Sequence, residues 1–393
     1  MNSKLKIITL FFCFLLFLCM ASCKPSSIKD DTKTASENIY AKNFLYQNHK
    51  NYTEVHISAG GSEYIWYLYR DKKPSVADNK PSGKNRIIQY VKIPAQRIVS
   101  LSSENIYFLE SLNSLDKLKA IDLAKNSSNK KVKELTGKGA VAQVGEGRDI
   151  DIEALYAINP DLIIIPWTGG DYDSSGLLLK KKFPVAVTAG WLESHPLGRA
   201  EWLVFLSLFL GMEEDGKNIF NETVLRYNSL KEKVPHGQEQ GQNSAKPVIV
   251  ANMLNGDIWN VPSGGSYFST MFEDAGAVYP WTGIKNRGSL FFDFEDIYTT
   301  AGNADVWLLN SEGIMTLKDV LNKDKRYSLF RAFQSRRIYN NNLMDKGDGN
   351  PFWDEGTACP DRILSDLVKI FYPAANIADN VNNSGFYYFR HVE

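Results

Sequence analysis

This sequence predicts an α/β protein: two α/β lobes with mainly parallel sheets, joined by one long helix and preceded by a small β-appendage. Three observations carry that prediction: a pattern that occurs twice, a Pro-free amphipathic stretch between the two copies, and alternating apolar and polar residues ahead of the first copy. The chain has 393 residues, 44% hydrophobic and 12% aromatic, which suffices for a large core and more than one domain. Its 45 Lys and Arg balance 45 Asp and Glu. That balance lacks the basic excess that nucleic-acid binding requires, so no nucleic-acid partner is expected.

At the N-terminus, Lys4 and Lys6 precede an apolar run over residues 7–20 that ends in Ala21-Ser22-Cys23. This run is too short to span a bilayer comfortably. Its basic start and the small residues before a Cys read as a lipoprotein signal peptide over residues 1–22, with Cys23 as the acylated first residue of the mature chain. An ordinary secretory signal is the less favoured alternative. Cleavage removes Cys13 and Cys19 and leaves Cys23 and Cys359; with lipid on Cys23, Cys359 has no partner and no structural disulfide is expected. Residues 23–41 are polar and aperiodic, as in a flexible tether. Lys29-Asp30-Asp31 within them reads as solvating charge rather than as a signal for outer-surface display. The expected location is a membrane-anchored lipoprotein facing the periplasm, with surface display as the alternative.

Residues 42–96 form the β-appendage: alternation over 52–57 and 64–69 around Gly60-Gly61, a Pro/Asn/Gly-rich loop over 73–84, and a further strand over 87–91. The strand at 97–102 opens the N-terminal lobe, residues 97–212. The duplicated pattern runs over 149–165 and again over 292–309. Each copy has an acidic start, a short one-faced helix, a turn at Asn-Pro or Gly-Asn, an Asp and a buried apolar run typical of a parallel strand. Glu153 and Glu295 sit in the first helical turn of their copies, where the helix dipole favours a carboxylate. Between the copies, residues 198–233 read as two helices broken at Gly211-Met212. The second, 213–233, carries Ile219, Phe220, Val224, Leu225, Tyr227 and Leu230 and makes a stiff linker. Residues 234–393 form the C-terminal lobe.

With these segments in place the chain resembles the solute-binding proteins of ABC importers that take up ferric siderophores, haem and cobalamin. The resemblance covers about residues 95–375. It rests on Arg97-Ile-Val-Ser-Leu-Ser-Ser, Leu115 to Ile121, Val144-Gly145 leading to Ile152-Glu153, Asn159-Pro-Asp-Leu-Ile-Ile, Phe333 to Tyr339 and the terminal helix from Pro360 to Pro373. The β-appendage, with His195-Pro-Leu-Gly-Arg-Ala-Glu-Trp and Asn350-Pro-Phe-Trp-Asp-Glu-Gly, is similar to the lipoprotein branch of that family. One departure is Ser103-Glu104-Asn105, where the family commonly has a Pro-containing turn. The resemblance implies two lobes on a helical backbone, no enzymatic activity, no resident cofactor, and a monomer served by an ABC permease dimer. It also implies that Glu153 and Glu295 form salt bridges with Arg residues of the two permease subunits.

No catalytic constellation competes. His49, His56, His195, His236 and His391 make no zinc-type pair, and Gly-x-Ser-x-Gly and Walker loops are absent. Asp345 and Asp348 around Gly347 and Gly349 read as a plain loop, since the spacing beyond them fails for calcium. Ligands of open α/β sheets bind beyond the carboxyl ends of strands. That rule points to Trp167 and Tyr172 after one strand, Trp191 after the next, then Trp259, Tyr267, Trp281, Arg287 and Trp353 in the second lobe, with Arg199 between. Aromatic walls suit planar or chelated metal complexes and Arg suits their anionic oxygens, although core packing is the simpler reading of any single Trp. The expected function is capture of an iron complex, a ferric siderophore or similar, and delivery to the permease. Cobalamin or haem as cargo, and a surface receptor serving an outer-membrane transporter, stay open. A cofactor-binding oxidoreductase with paired α/β lobes would need several Cys ligands, and the mature chain has two.

Overall fold

The computed structural model describes residues 38–76, 85–170, 173–235, 245–347, 349–374 and 385–393. The signal peptide, Cys23, Tyr172 and most of the expected tether lie outside the described residues.

Four strands make the appendage: β1 Phe44–Asn48, β2 Tyr52–Ala59, β3 Ser62–Tyr69 and β4 Asn85–Lys92, paired in that order. The β2–β3 hairpin turns at Gly60 and Gly61, with φ of 58° and 76°, which a two-residue turn between right-twisted strands demands. Alternation then places Val55 and Ile57 of β2 and Tyr64, Trp66 and Leu68 of β3 in the core. Trp66 Nε1 donates to the Val185 carbonyl at 2.7 Å, and the Gln89 amide bonds the backbone of the same residue in both directions. The appendage therefore shares one core with the lobe that follows. The tether reading fails at its end: Ile39, Tyr40 and Ala41 are held through their backbone N–H groups by the Glu201 carboxylate.

The N-terminal lobe is built on β5 Ile98–Ser100, β6 Leu118–Ile121, β7 Ala142–Gln143, β8 Leu162–Pro166 and β9 Val185–Thr188, in the order β7-β6-β5-β8-β9 and parallel throughout. Ile163, Ile164 and Ala186 are wholly buried, as a parallel sheet covered on both faces requires. The helix Trp202–Phe209 is buried on every side, the chain breaks at Gly211 (φ 66°), and the linker helix Glu213–Glu232 follows. Its 20 residues span about 30 Å. Gly216, Phe220, Thr223, Tyr227 and Leu230 form its buried stripe. Gly216 permits the close crossing of the two helices, since a Cβ there would fall 2.3 Å from Ser207 Oγ. Leu225 lies outside the stripe and is exposed.

The C-terminal lobe contains β10 Ile249–Ala251, β11 Leu254–Asn255, β12 Ile258–Pro262, β13 Ser289–Phe292, β14 Val306–Leu309, β15 Ile338–Asn340 and β16 Arg390–His391. Its main sheet runs β10-β14-β15-β16, with the last strand antiparallel, and β11-β12-β13 form a separate antiparallel sheet. The terminal helix Pro360–Phe371 packs on the linker helix. Asp366 on that helix accepts backbone N–H groups from Tyr387, Tyr388 and Phe389, which pins the C-terminal segment to the lobe.

Candidate ligand-binding site

An open cavity of about 280 Å³ lies at the carboxyl edge of the C-terminal lobe's main sheet. Asn252, Asn310 and Asn341 each follow directly on the last residue of a parallel strand, β10, β14 and β15, and all three line the cavity. The walls are rings: Tyr267, Phe268, Phe352, Trp353 and Phe389 from this lobe, and Trp191 from the other. Trp191 brings the N-terminal lobe to the cavity, which makes the site interlobal.

Local structure positions these rings. Ser266 caps the helix Tyr267–Asp274, accepting from the Ser269 N–H, and so sets Tyr267 and Phe268 at its first turn. Asn350 accepts the Phe352 N–H at 3.0 Å and donates to the Asn341 carbonyl at 3.0 Å, tying the Phe352-Trp353 pair to the end of β15. Phe268 stacks on Phe352 with ring centroids 6.0 Å apart and meets Trp353 edge-on. On the opposite side Trp191 Nε1 donates to the Trp167 carbonyl at 2.7 Å, and the two indoles lie parallel at 6.3 Å. Trp167 is half-buried beside the appendage turn, where a Cβ on Gly60 would come 2.8 Å from its ring. The appendage thus supports Trp167, and Trp167 supports Trp191.

Behind the Tyr267 wall an ion-paired Arg of the N-terminal lobe reaches across to the C-terminal lobe. Arg199 Nη2 donates to Glu104 at 3.0 Å and Nη1 donates to the Tyr267 hydroxyl. Burial works against charge on Arg199, but Glu104 and Tyr267 outweigh it and hold the guanidinium's pKa above its ordinary value. Burial raises the Tyr267 phenol, against the pull of the same Arg. Arg199 Nε is buried without a hydrogen-bond partner among the described residues. Nearby, His195 caps the helix Pro196–Ala200 by accepting the Leu197 N–H on Nδ1. Burial lowers its pKa despite Asp274, in keeping with a neutral ring whose Nδ1 is an acceptor.

Of the residues singled out from sequence, Trp191, Tyr267 and Trp353 line the cavity. Arg199 lies just behind it. Trp259 does not reach it: β12 turns that side chain inward, where it is wholly buried, stacks on Trp307 at 5.6 Å and donates to the Ala251 carbonyl. Trp281 is also in the core, against Tyr279 and Phe292. Arg287 is exposed and reaches Asn43 at 3.5 Å rather than the cavity. The Gly264-Gly265 pair serves backbone packing, since a Cβ on either would fall 2.3 Å from a carbonyl oxygen of the 281–286 loop. The cavity amides were missed because the strand-end rule was applied to aromatic and basic residues only; applied to every residue type, it selects Asn252, Asn310 and Asn341.

Glu153 and Glu295 occupy equivalent places. Each is exposed in the first turn of a short helix, Ile152–Ile158 capped by Asp151 and Phe294–Ala301 capped by Asp293. Each helix ends just before the start of a parallel strand, so its first turn lies toward the carboxyl edge of its sheet, the edge that faces the cavity. Glu295 also pairs with Arg326 at 3.2 Å, a solvent-exposed contact. No helix among the described residues is long and apolar enough to cross a membrane.

Comparison with known proteins agrees with this architecture. Residues 98–341 match the family model described as periplasmic binding protein. Two uncharacterized lipoproteins of Methanocaldococcus jannaschii are similar: one is 26% identical over 345 residues, 84% of this chain and 77% of its own length, and the other 25% identical over 321 residues, 76% and 75%. Among solved structures, a periplasmic heme-binding protein from Roseiflexus sp. RS-1 superposes with a TM-score of 0.55 at 20% identity, covering 72% of this chain and 99% of that one. A periplasmic vitamin B12 binding protein of Vibrio cholerae gives 0.52 at 15%, covering 72% and 99%. At such identities these structures show the fold alone. The family match spans more than half of the sequence, and the chain belongs to the periplasmic binding protein family, whose members bind solutes rather than catalyse reactions.

Proposed function

We propose that this protein is a lipid-anchored solute-binding protein that captures a metal–organic complex, in the first instance a ferric siderophore, between its lobes and delivers it to an ABC permease. The observation that carries the reading is the interlobe cavity, where rings from both lobes face a row of Asn side chains at three strand ends. Aromatic faces bury the flat or apolar body of a chelate, and amides satisfy its polar rim. The ligands named for solved structures of the same fold, heme and vitamin B12, support that class. Trp191, Tyr267 and Trp353 are the contacts we assign; Arg199 acts through Tyr267. Glu153 and Glu295 are the docking contacts, one for each half of a two-fold permease, and Cys23 is the lipid anchor. Delivery requires that docking favour the released state over the captured one. Titration of the purified protein with a ferric siderophore, haemin and cyanocobalamin, followed by tryptophan fluorescence, tests the reading. One-to-one saturable quenching by one of them is expected; no saturable binding of any of the three would refute it.

A further inference from the structure

The segment 39–43 is bound to the body by two carboxylates. Two buried carboxylates take five consecutive backbone N–H groups: Glu201 accepts those of Ile39, Tyr40 and Ala41 at 2.9, 2.9 and 2.6 Å, and Glu193 accepts those of Lys42 and Asn43 at 2.9 and 3.0 Å. Glu193 and Glu201 are 2% and 3% exposed. Such carboxylates are costly to bury without donors; Glu193 takes one from Trp202 Nε1 at 3.1 Å, and the segment supplies the five backbone N–H groups. Gly198 makes room for it, since a Cβ there would press on the Tyr40 carbonyl oxygen at 3.0 Å.

The residues that grip the segment belong to the stretch that also joins the lobes. Between Glu193 and Glu201, the Ser194 carbonyl accepts from Thr270 of the C-terminal lobe at 2.7 Å, His195 Nε2 lies 3.9 Å from Asp274, and Arg199 meets Tyr267. Trp191, two residues before Glu193, lines the cavity. The segment itself touches both lobes and the linker helix. Tyr40 packs on His195 and on Phe220 of the linker helix, its hydroxyl is 3.4 Å from Asn228 Nδ2, and Asn43 faces Arg287 of the C-terminal lobe.

We propose that residues 39–43 are a clasp across the interlobe seam: their docking on Glu193 and Glu201 holds the stretch 193–201 in the position that sets the cavity wall, so clasp docking and lobe separation are thermodynamically linked. Linkage of this kind is reciprocal, and whatever frees the clasp loosens the lobes. The inference goes beyond the ligand assignment and its test needs no ligand, so the two fail separately.

The test uses the full chain with spin labels at Lys130→Cys and Lys323→Cys, exposed positions in the two lobes, and reads the interlobe distance distribution together with amide exchange at 39–43. In the wild type these five amides are protected and the distribution is narrow. Glu193→Gln with Glu201→Gln should speed exchange at all five at least a hundredfold and broaden or shift the distribution. Should that pair fail to fold, Tyr40→Ala frees the clasp while leaving both carboxylates in place, and the same broadening is expected. Exchange in the wild type at the rate of an unstructured peptide would overturn the clasp; freed amides with an unchanged distance distribution would overturn its link to the lobes.

Discussion

Glu104→Gln removes the partner of the Arg199 guanidinium beside the cavity, and its cost follows directly from that pair. It leaves the Arg199 guanidinium bonded to the Tyr267 hydroxyl and, among the described residues, with its Nε unpartnered and its only anionic contact removed. The Arg199 side chain is 11% exposed and that of Glu104 19%. Breaking a buried pair by removing one partner costs about 3–5 kcal/mol, whereas replacing both partners by well-packed neutral groups is often neutral. Because some solvent reaches both side chains, we take about 2–4 kcal/mol for Glu104→Gln alone. Arg199→Met in the Glu104→Gln background should recover most of that loss, since the uncompensated charge is gone. Urea unfolding of the four proteins of this cycle measures the coupling. A Glu104→Gln protein within about 0.5 kcal/mol of wild type, or a double variant less stable than either single one, would refute the account of Arg199 as a buried charge held by Glu104.

Other outcomes follow from the same geometry. Burial pushes the Cys359 thiol up to about 11, so at pH 8 only about one thiol in a thousand is ionised; iodoacetamide should label the native protein negligibly and the unfolded protein fast, and equal labelling would contradict this. Cys23→Ala should abolish lipid labelling and move the protein to the soluble fraction; unchanged membrane association counts against the anchor. Glu153→Arg with Glu295→Arg should cost only about 0.3–1 kcal/mol of stability per site, leave ligand affinity intact and abolish uptake, because two attractive contacts become repulsive; normal uptake would leave helix capping as the whole role of these residues. Trp191→Phe should remove much of the ligand-induced fluorescence quenching, and Trp259→Phe, in the core, should not; the reverse pattern would misplace the ligand.

The parallel strands were legible because burial on both faces demands unbroken apolar runs, as in Leu162–Pro166 and Val306–Leu309. The long helix was legible because its period persists without Pro, and its break falls at Gly211. What could not be read was which way a side chain turns once a strand or loop has been placed. Trp259 and Asn260 are neighbours on β12, yet one is wholly buried and the other lines the cavity. That difference depends on the register of β12 against β13, a long-range pairing that local pattern does not encode. The clasp is similarly invisible: residues 39–43 carry no periodicity, and Glu193 and Glu201 look like surface acids until the fold buries them against five N–H groups. Arg287 misled for the opposite reason, since a lone Arg after a Gly-rich loop looks like an anion contact whether or not the loop turns it outward.

Carriage of a metal–organic complex in the interlobe cavity, as proposed, is tested most directly by the visible absorption spectrum and native mass of the protein purified from its own host. A chromophore band is expected together with a mass increment equal to one metal complex, both lost on unfolding, with the band distinguishing ferric siderophore, haem and corrinoid. A protein that is colourless, has the mass of the acylated chain alone, and takes up none of these complexes when they are supplied would contradict it.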